Sequence, residues 1–140
     1  DKSMNLVNQL LKADIKKADE LEVGIFHSMK LAKLIGSEEP VDVQIREVKS
    51  RRLNDIVAYQ FDKNGKTNFS KTYDTKLMLC LEGVVDPPLK DKTLQEHFEC
   101  DNAKDLCEKL FGYEVNGLSE EISKLSGVIN DEDIDEEIKN

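Results

Sequence analysis

The residues best suited to chemistry are His97, Cys100 and Cys107, spaced H-x2-C-x6-C. Imidazole and thiolate together suit zinc, but a closed structural zinc site uses four ligands, commonly as two close pairs. The candidates for a fourth ligand, His27 and Cys80, are remote in the chain. A Cys-His pair for nucleophilic chemistry has no local signature here, and Cys80 falls on an apolar helix face. Asp131, Asp133 and Asp135 begin like an EF-hand loop, but the sixth position is Glu136, where the sharp turn needs glycine. There is no glycine-rich phosphate loop, no G-x-S-x-G and no H-E-x-x-H. Core cysteines, a surface histidine and a solvated acidic segment account for these residues more simply. The expectation is a protein without metal, cofactor or catalytic site.

Composition narrows the remaining classes. A chain of 140 residues suits one domain with a modest core. Hydrophobic residues make up 39% and charged residues 35%, with no tryptophan. That composition favours a small core under a charged surface. The net charge is −9, from 29 acids against 20 bases, which disfavours nucleic acid and anionic membranes. Charge is also segregated. Asp131, Glu132, Asp133, Asp135, Glu136 and Glu137 crowd one end, whereas Arg46, Lys49, Arg51 and Arg52 form a basic stretch. An acidic segment and a basic patch can meet within one molecule, across copies or with a partner. An odd number of cysteines, no signal-peptide pattern and no membrane-spanning apolar run read as a reduced, cytoplasmic protein. Asp1-Lys2-Ser3 ahead of Met4 reads as a cloning remnant.

The elements follow from periodicity. Ser3 can cap a helix with Leu6, Val7, Leu10 and Leu11 on one face. Val23, Ile25 and His27 alternate as in a strand, and Leu31, Leu34 and Ile35 suit a short helix closing at Gly36. Val41, Val43, Ile45 and Val48 carry the clearest period of two, predicting a strand antiparallel to residues 22–30. Ser50 is expected to cap a helix carrying Leu53, Ile56, Val57 and Phe61 inward. Asp62 to Lys66 is a turn. Tyr73, Leu77, Cys80, Leu81 and Val84 recur at helical spacing and predict a helix over 72–85, ended by Asp86-Pro87-Pro88. A short helix from Asp91 or Lys92 runs to Phe98. Asp101 or Asn102 caps another, with Leu106, Leu110 and Phe111 inward and Gly112 at its end. Ser119 is expected to cap a last helix, with Ile122 and Leu125 inward and Gly127 stopping it. The fold class is therefore α+β: a mainly helical single domain over 1–129, with one small antiparallel β-hairpin and a flexible acidic tail over 130–140. Val84-Val85, Phe98 and Phe111-Gly112-Tyr113 are the apolar candidates for contact with another protein.

Three stretches together carry a family pattern: LEVGIFHSMKLAKLIGSEEPVDVQIREV, YDTKLMLCLEGVVDPPLKDKTLQEHF, and NGLSEEISKLSGV followed by acids. Their order, over about residues 4–138, resembles the XkdN-like tail assembly chaperones of contractile-tailed phages, defective prophages and phage-tail-like bacteriocins. The resemblance implies a non-enzymatic, cytoplasmic chaperone that coats the tail tape-measure protein until tube subunits displace it. It also implies a longer form of the chain made by ribosomal frameshifting, with Asp131–Asn140 ending the short form, and it allows a homo-oligomer. On this reading the partner-binding residues are Val84, Val85, Leu89, Leu110, Phe111 and Tyr113. Arg46, Arg51 and Arg52 form a second patch for acidic tails of neighbouring copies or for tube subunits. The alternatives are a structural tail component, such as a tail completion protein, and a small Cys/His metal or thiol protein.

Overall fold

The period-two run at Val41 becomes the central strand of a sheet. In the computed structural model, which describes residues 5–128, strand β1 (Val23–Ser28) pairs antiparallel with β2 (Val41–Arg46), from Val23 opposite Arg46 to Ser28 opposite Val41. Val43 and Ile45 are buried on β2, and Asp42, Gln44 and Arg46 are exposed, as the alternation requires. Helix α2 (Met29–Ile35) bridges the two strands and closes at Gly36, whose φ of 78° is left-handed. The acidic residues 130–140, expected as a flexible tail, lie outside the described residues.

The sheet has one strand more than the expected hairpin. Helix α4 (Thr72–Gly83) stops before Val84, and β3 (Val84–Asp86) pairs antiparallel with β2, giving the order β1-β2-β3. Helical spacing alone would carry Val84 and Val85 into the preceding helix. In the fold β2 has a second edge to satisfy, and two β-branched residues extend along it instead. A cis peptide joins Asp86 to Pro87.

The other helices are α1 (Leu6–Leu11), α3 (Ser50–Ala58), α5 (Lys92–His97), α6 (Ala103–Phe111) and α7 (Val115–Leu125). Single 3-10 turns occupy Ile15–Asp19, Phe69–Lys71 and Gly112–Glu114. Asp91 caps α5 by accepting the Leu94 N–H at 2.8 Å. Asn102 caps α6 in the same way, accepting the Asp105 N–H at 2.8 Å. Each side chain satisfies one of the donors a helix start leaves open. Three starts or stops differ from expectation. Asn5 accepts from Asn8 at the head of α1, and Ser3, expected as the cap, lies outside the described residues. Lys49 takes the cap position of α3, which ends at Ala58 and leaves Phe61 bridged to Thr67 across the turn. Ser119 lies buried inside α7, donating to the Asn116 carbonyl at 3.0 Å. Helix α7 runs through Asn116-Gly117, and the Phe26 ring lies beside Gly117.

Helix α4 is the centre of the core, packing on α7, α6 and α3. Thr75, Leu77, Leu79, Cys80 and Gly83 are all buried, a wider face than one stripe, whereas Tyr73 is exposed and Leu81 half-buried. A helix contacted from several sides buries more than the single face its periodicity suggests. Leu77, Leu106, Phe111, Leu118 and Ile122 are fully buried around it. Each contributes about 1.5–3 kcal/mol of hydrophobic stabilisation.

Candidate functional site

Of the residues that suggested metal or thiol chemistry, the fold brings together Cys80 and Cys107. His97 is exposed at the end of α5, with its ring edge-on to Phe98. Cys100 is half-buried and its thiol contacts the Phe98 carbonyl. Cys107 is fully buried and faces Cys80 across the α4–α6 interface. Hydrogen bonding to Cys107, then desolvation, pushes the Cys80 thiol far above its usual range, so it stays protonated. Among the described residues no three His, Cys, Asp or Glu side chains converge as metal ligands. Asp131, Asp133 and Asp135 lie outside the described residues.

One buried carboxylate has a defined task. Glu114 accepts the Ser28 hydroxyl at 2.6 Å and the N–H groups of Met29 at 3.0 Å and Lys30 at 3.3 Å. Ser28 Oγ in turn accepts the Leu31 N–H at 3.0 Å. Serine and glutamate together satisfy the orphan donors at the start of α2, where a negative charge also meets the positive end of the helix. This ties the β1–α2 corner to the turn ahead of α7. It is a structural site, with all its polar atoms engaged.

The surfaces sort differently from the sequence reading. Val84, Leu89, Leu110 and Phe111, expected as contact residues, are buried core side chains. No partner reaches them without opening the domain; they shape the surface from below. Val85 is 43% and Tyr113 74% exposed, so these two remain accessible. Arg46, Arg51 and Arg52 are all exposed. Arg52 pairs with Glu82 at 3.0 Å, and Arg46 donates to the Glu82 carbonyl at 3.4 Å.

Two apolar features come from assembly of the elements. A groove of about 710 Å³ runs between α3, α4 and α7, lined on its apolar side by Val57, Phe69, Leu79 and Val128. Phe69 is 84% exposed at its edge, and Lys76 bridges to Asn116 at 2.8 Å within it. Tyr113 stands one turn ahead of Asn116, its carbonyl accepting the Asn116 side-chain amide. Helix α1 buries none of its residues, leaving Leu6, Val7, Leu10 and Leu11 exposed. The groove and the exposed Phe69 ring together form an apolar surface feature between α3, α4 and α7.

Residues 7–140 match the family of phage XkdN-like tail assembly chaperone proteins. The chain belongs to this family. Its fold is similar to the crystal structure of the protein yqbn, with a TM-score of 0.54 and 11% identity over 79% of this chain and 90% of that one. No curated protein matches the chain.

The groove and the exposed Phe69 are surface features that the sequence did not announce. Phe69 sits between a turn and a helix and follows no period, so only its exposure distinguishes it from a core aromatic. The signal available was an aromatic residue amid Asn68, Ser70 and Lys71, polar neighbours that a core segment rarely supplies. No helix among the described residues is long and apolar enough to cross a membrane.

Proposed function

We propose that this tail assembly chaperone binds the tape-measure protein in the cytoplasm and keeps its apolar helices dispersed until tube subunits take its place. The observation that supports this reading best is the open apolar groove between α3, α4 and α7 with Phe69 at its lip. An amphipathic helix binds by laying its apolar face into such a groove. Val85 and Tyr113 extend the contact, and Arg46, Arg51 and Arg52 offer charge to tube subunits or to neighbouring copies, including a frameshifted longer form. The net charge of −9 keeps a loaded complex from self-association. Binding and displacement need no covalent step, and the role is non-enzymatic.

Co-expression with the tape-measure protein tests the proposal. The tape-measure protein should move into the soluble fraction with the native chain and be co-purified with it. Phe69→Glu should lower that recovery about tenfold, the effect of roughly 1.4 kcal/mol in binding. A tape-measure protein equally soluble with and without the chain would end the proposal. Mass spectrometry of intact particles separates the chaperone from a tail component, since a chaperone is absent from them.

A further inference from the structure

Helix α1 presents an apolar face that nothing covers in the single chain. Leu6, Val7, Leu10 and Leu11 share that face and are between 63% and 79% exposed. Ile15, on the turn that follows, is 82% exposed. Six residues are too few to hold a helix in water by propensity alone, so α1 depends on a surface laid against this face. From Leu6 to Leu11 the only polar side chains are Asn8 and Gln9, and the helix carries no charge. The groove between α3, α4 and α7 is the matching concave surface. It is apolar along Val57, Phe69, Leu79 and Val128, and its rim charges are engaged, Lys76 by Asn116 and Glu120 by Lys124. Because α1 buries none of its residues, its own body leaves both the helix and the groove open.

We propose that α1 lies in the groove of a second copy of this chain, and that the second copy returns its own α1 in the same way. Buried area decides between one contact and two. Fully burying an aliphatic side chain removes roughly 100 Å² from water. At the exposures above, α1 and Ile15 offer roughly 350 Å², and roughly 700 Å² once the groove surface beneath them is counted. A single contact of that size falls below what holds two proteins together. Two reciprocal contacts reach roughly 1,400 Å², inside the range of stable interfaces. Such reciprocity is two-fold symmetry, in which each copy gives and receives the same surface. Resting on the reading of the groove as a helix-binding site, the arrangement makes the dimer the client-free form, and a client helix enters by displacing α1.

Size exclusion with light scattering tests this on the full chain alone. At about 100 μM, well above a micromolar Kd, it should find twice the mass of the chain. Leu6→Glu with Leu10→Glu, both at exposed positions, should raise the dimer Kd about 100-fold and give a monomer with native circular dichroism. Phe69→Glu should give a monomer from the groove side. Amine cross-linking of mixed isotopically light and heavy chains should join Lys12, at the end of α1, to Lys76, in the groove, between chains. A native chain that is monomeric at that concentration would overturn the proposal. So would a dimer that either variant leaves intact, or Lys12–Lys76 products found only within one chain. Recovery of the tape-measure protein separates this outcome from failure of the groove reading. A monomeric native chain that still recovers it overturns the exchange of α1 alone, whereas Phe69→Glu leaving recovery unchanged overturns the groove reading.

Discussion

Gly83→Ala probes the closest approach in the core. Gly83 closes α4 with an ordinary negative φ, so its backbone would accept alanine. In a helix interior that exchange stabilises by about 1 kcal/mol, and less at the last residue. Packing opposes it. A Cβ on Gly83 would lie 2.5 Å from Ile122 Cγ2, 2.8 Å from Cδ1 and 2.9 Å from Cγ1. A normal carbon contact is about 3.5–4.0 Å. Ile122 cannot yield: it is fully buried, and a β-branched side chain in a helix is held to one χ1 rotamer. Relief requires α4 and α7 to separate, and overpacking of this kind costs about 1–3 kcal/mol. The net expectation is a loss of about 2 kcal/mol, or about 8 °C in melting temperature. Urea unfolding followed by circular dichroism measures it, with an unchanged m-value showing that stability alone moved. Ile122→Ala removes all three clashing atoms at its own cost of about 3 kcal/mol. In that background Gly83→Ala should be nearly neutral, a coupling of about 2 kcal/mol. A neutral or stabilising single substitution, or a cycle additive within about 0.5 kcal/mol, would refute the reasoning.

Glu114→Ala orphans the Ser28 hydroxyl and two N–H groups at the start of α2. It should cost about 2–3 kcal/mol in urea unfolding, and Glu114→Gln, which keeps an acceptor and loses the charge, about half as much. Iodoacetamide at about pH 8 should label Cys100 in the native protein and spare the buried Cys80 and Cys107 until denaturant is added. The raised Cys80 thiol also predicts alkaline instability. In the unfolded chain the thiol ionises near its ordinary 9.0, whereas in the fold it holds its proton to much higher pH. Its contribution is therefore complete below about pH 9 and falls above it, by up to about 1.4 kcal/mol per pH unit. Cys80→Ala should flatten that part of the stability profile, and an identical decline in the variant would assign it to other groups.

Much of the fold was legible because its signals are local. Val41, Val43 and Ile45 alternate, and their strand and its partner at 22–30 form as predicted. Gly36 closes α2, and Asp91 and Asn102 cap α5 and α6, since a cap is settled by residues within one turn. Val84-Val85 was misassigned because apolar β-branched residues continue a helical period as readily as they begin a strand. Ser119 was expected as a cap because serine is a favoured capping residue, but α7 starts four residues earlier and runs through the weak helix formers Asn116 and Gly117. The contact residues are the least legible. Val84, Leu89, Leu110 and Phe111 have the composition of either a core or an interface, and their burial depends on elements far along the chain.

By itself, the sequence determined the charge balance, the mainly helical α+β class, the central hairpin, most helix ends and the order of blocks that marks the family. These depend on composition or on neighbours a few residues apart. Tertiary structure decided which apolar side chains face solvent and that β2 takes Val84–Asp86 as a third strand. It also decided that Glu114 caps a helix 85 residues away, that Cys80 meets Cys107, and where the groove lies. Each depends on surfaces brought together from distant segments, whose match in shape and charge exists only once the chain has closed upon itself.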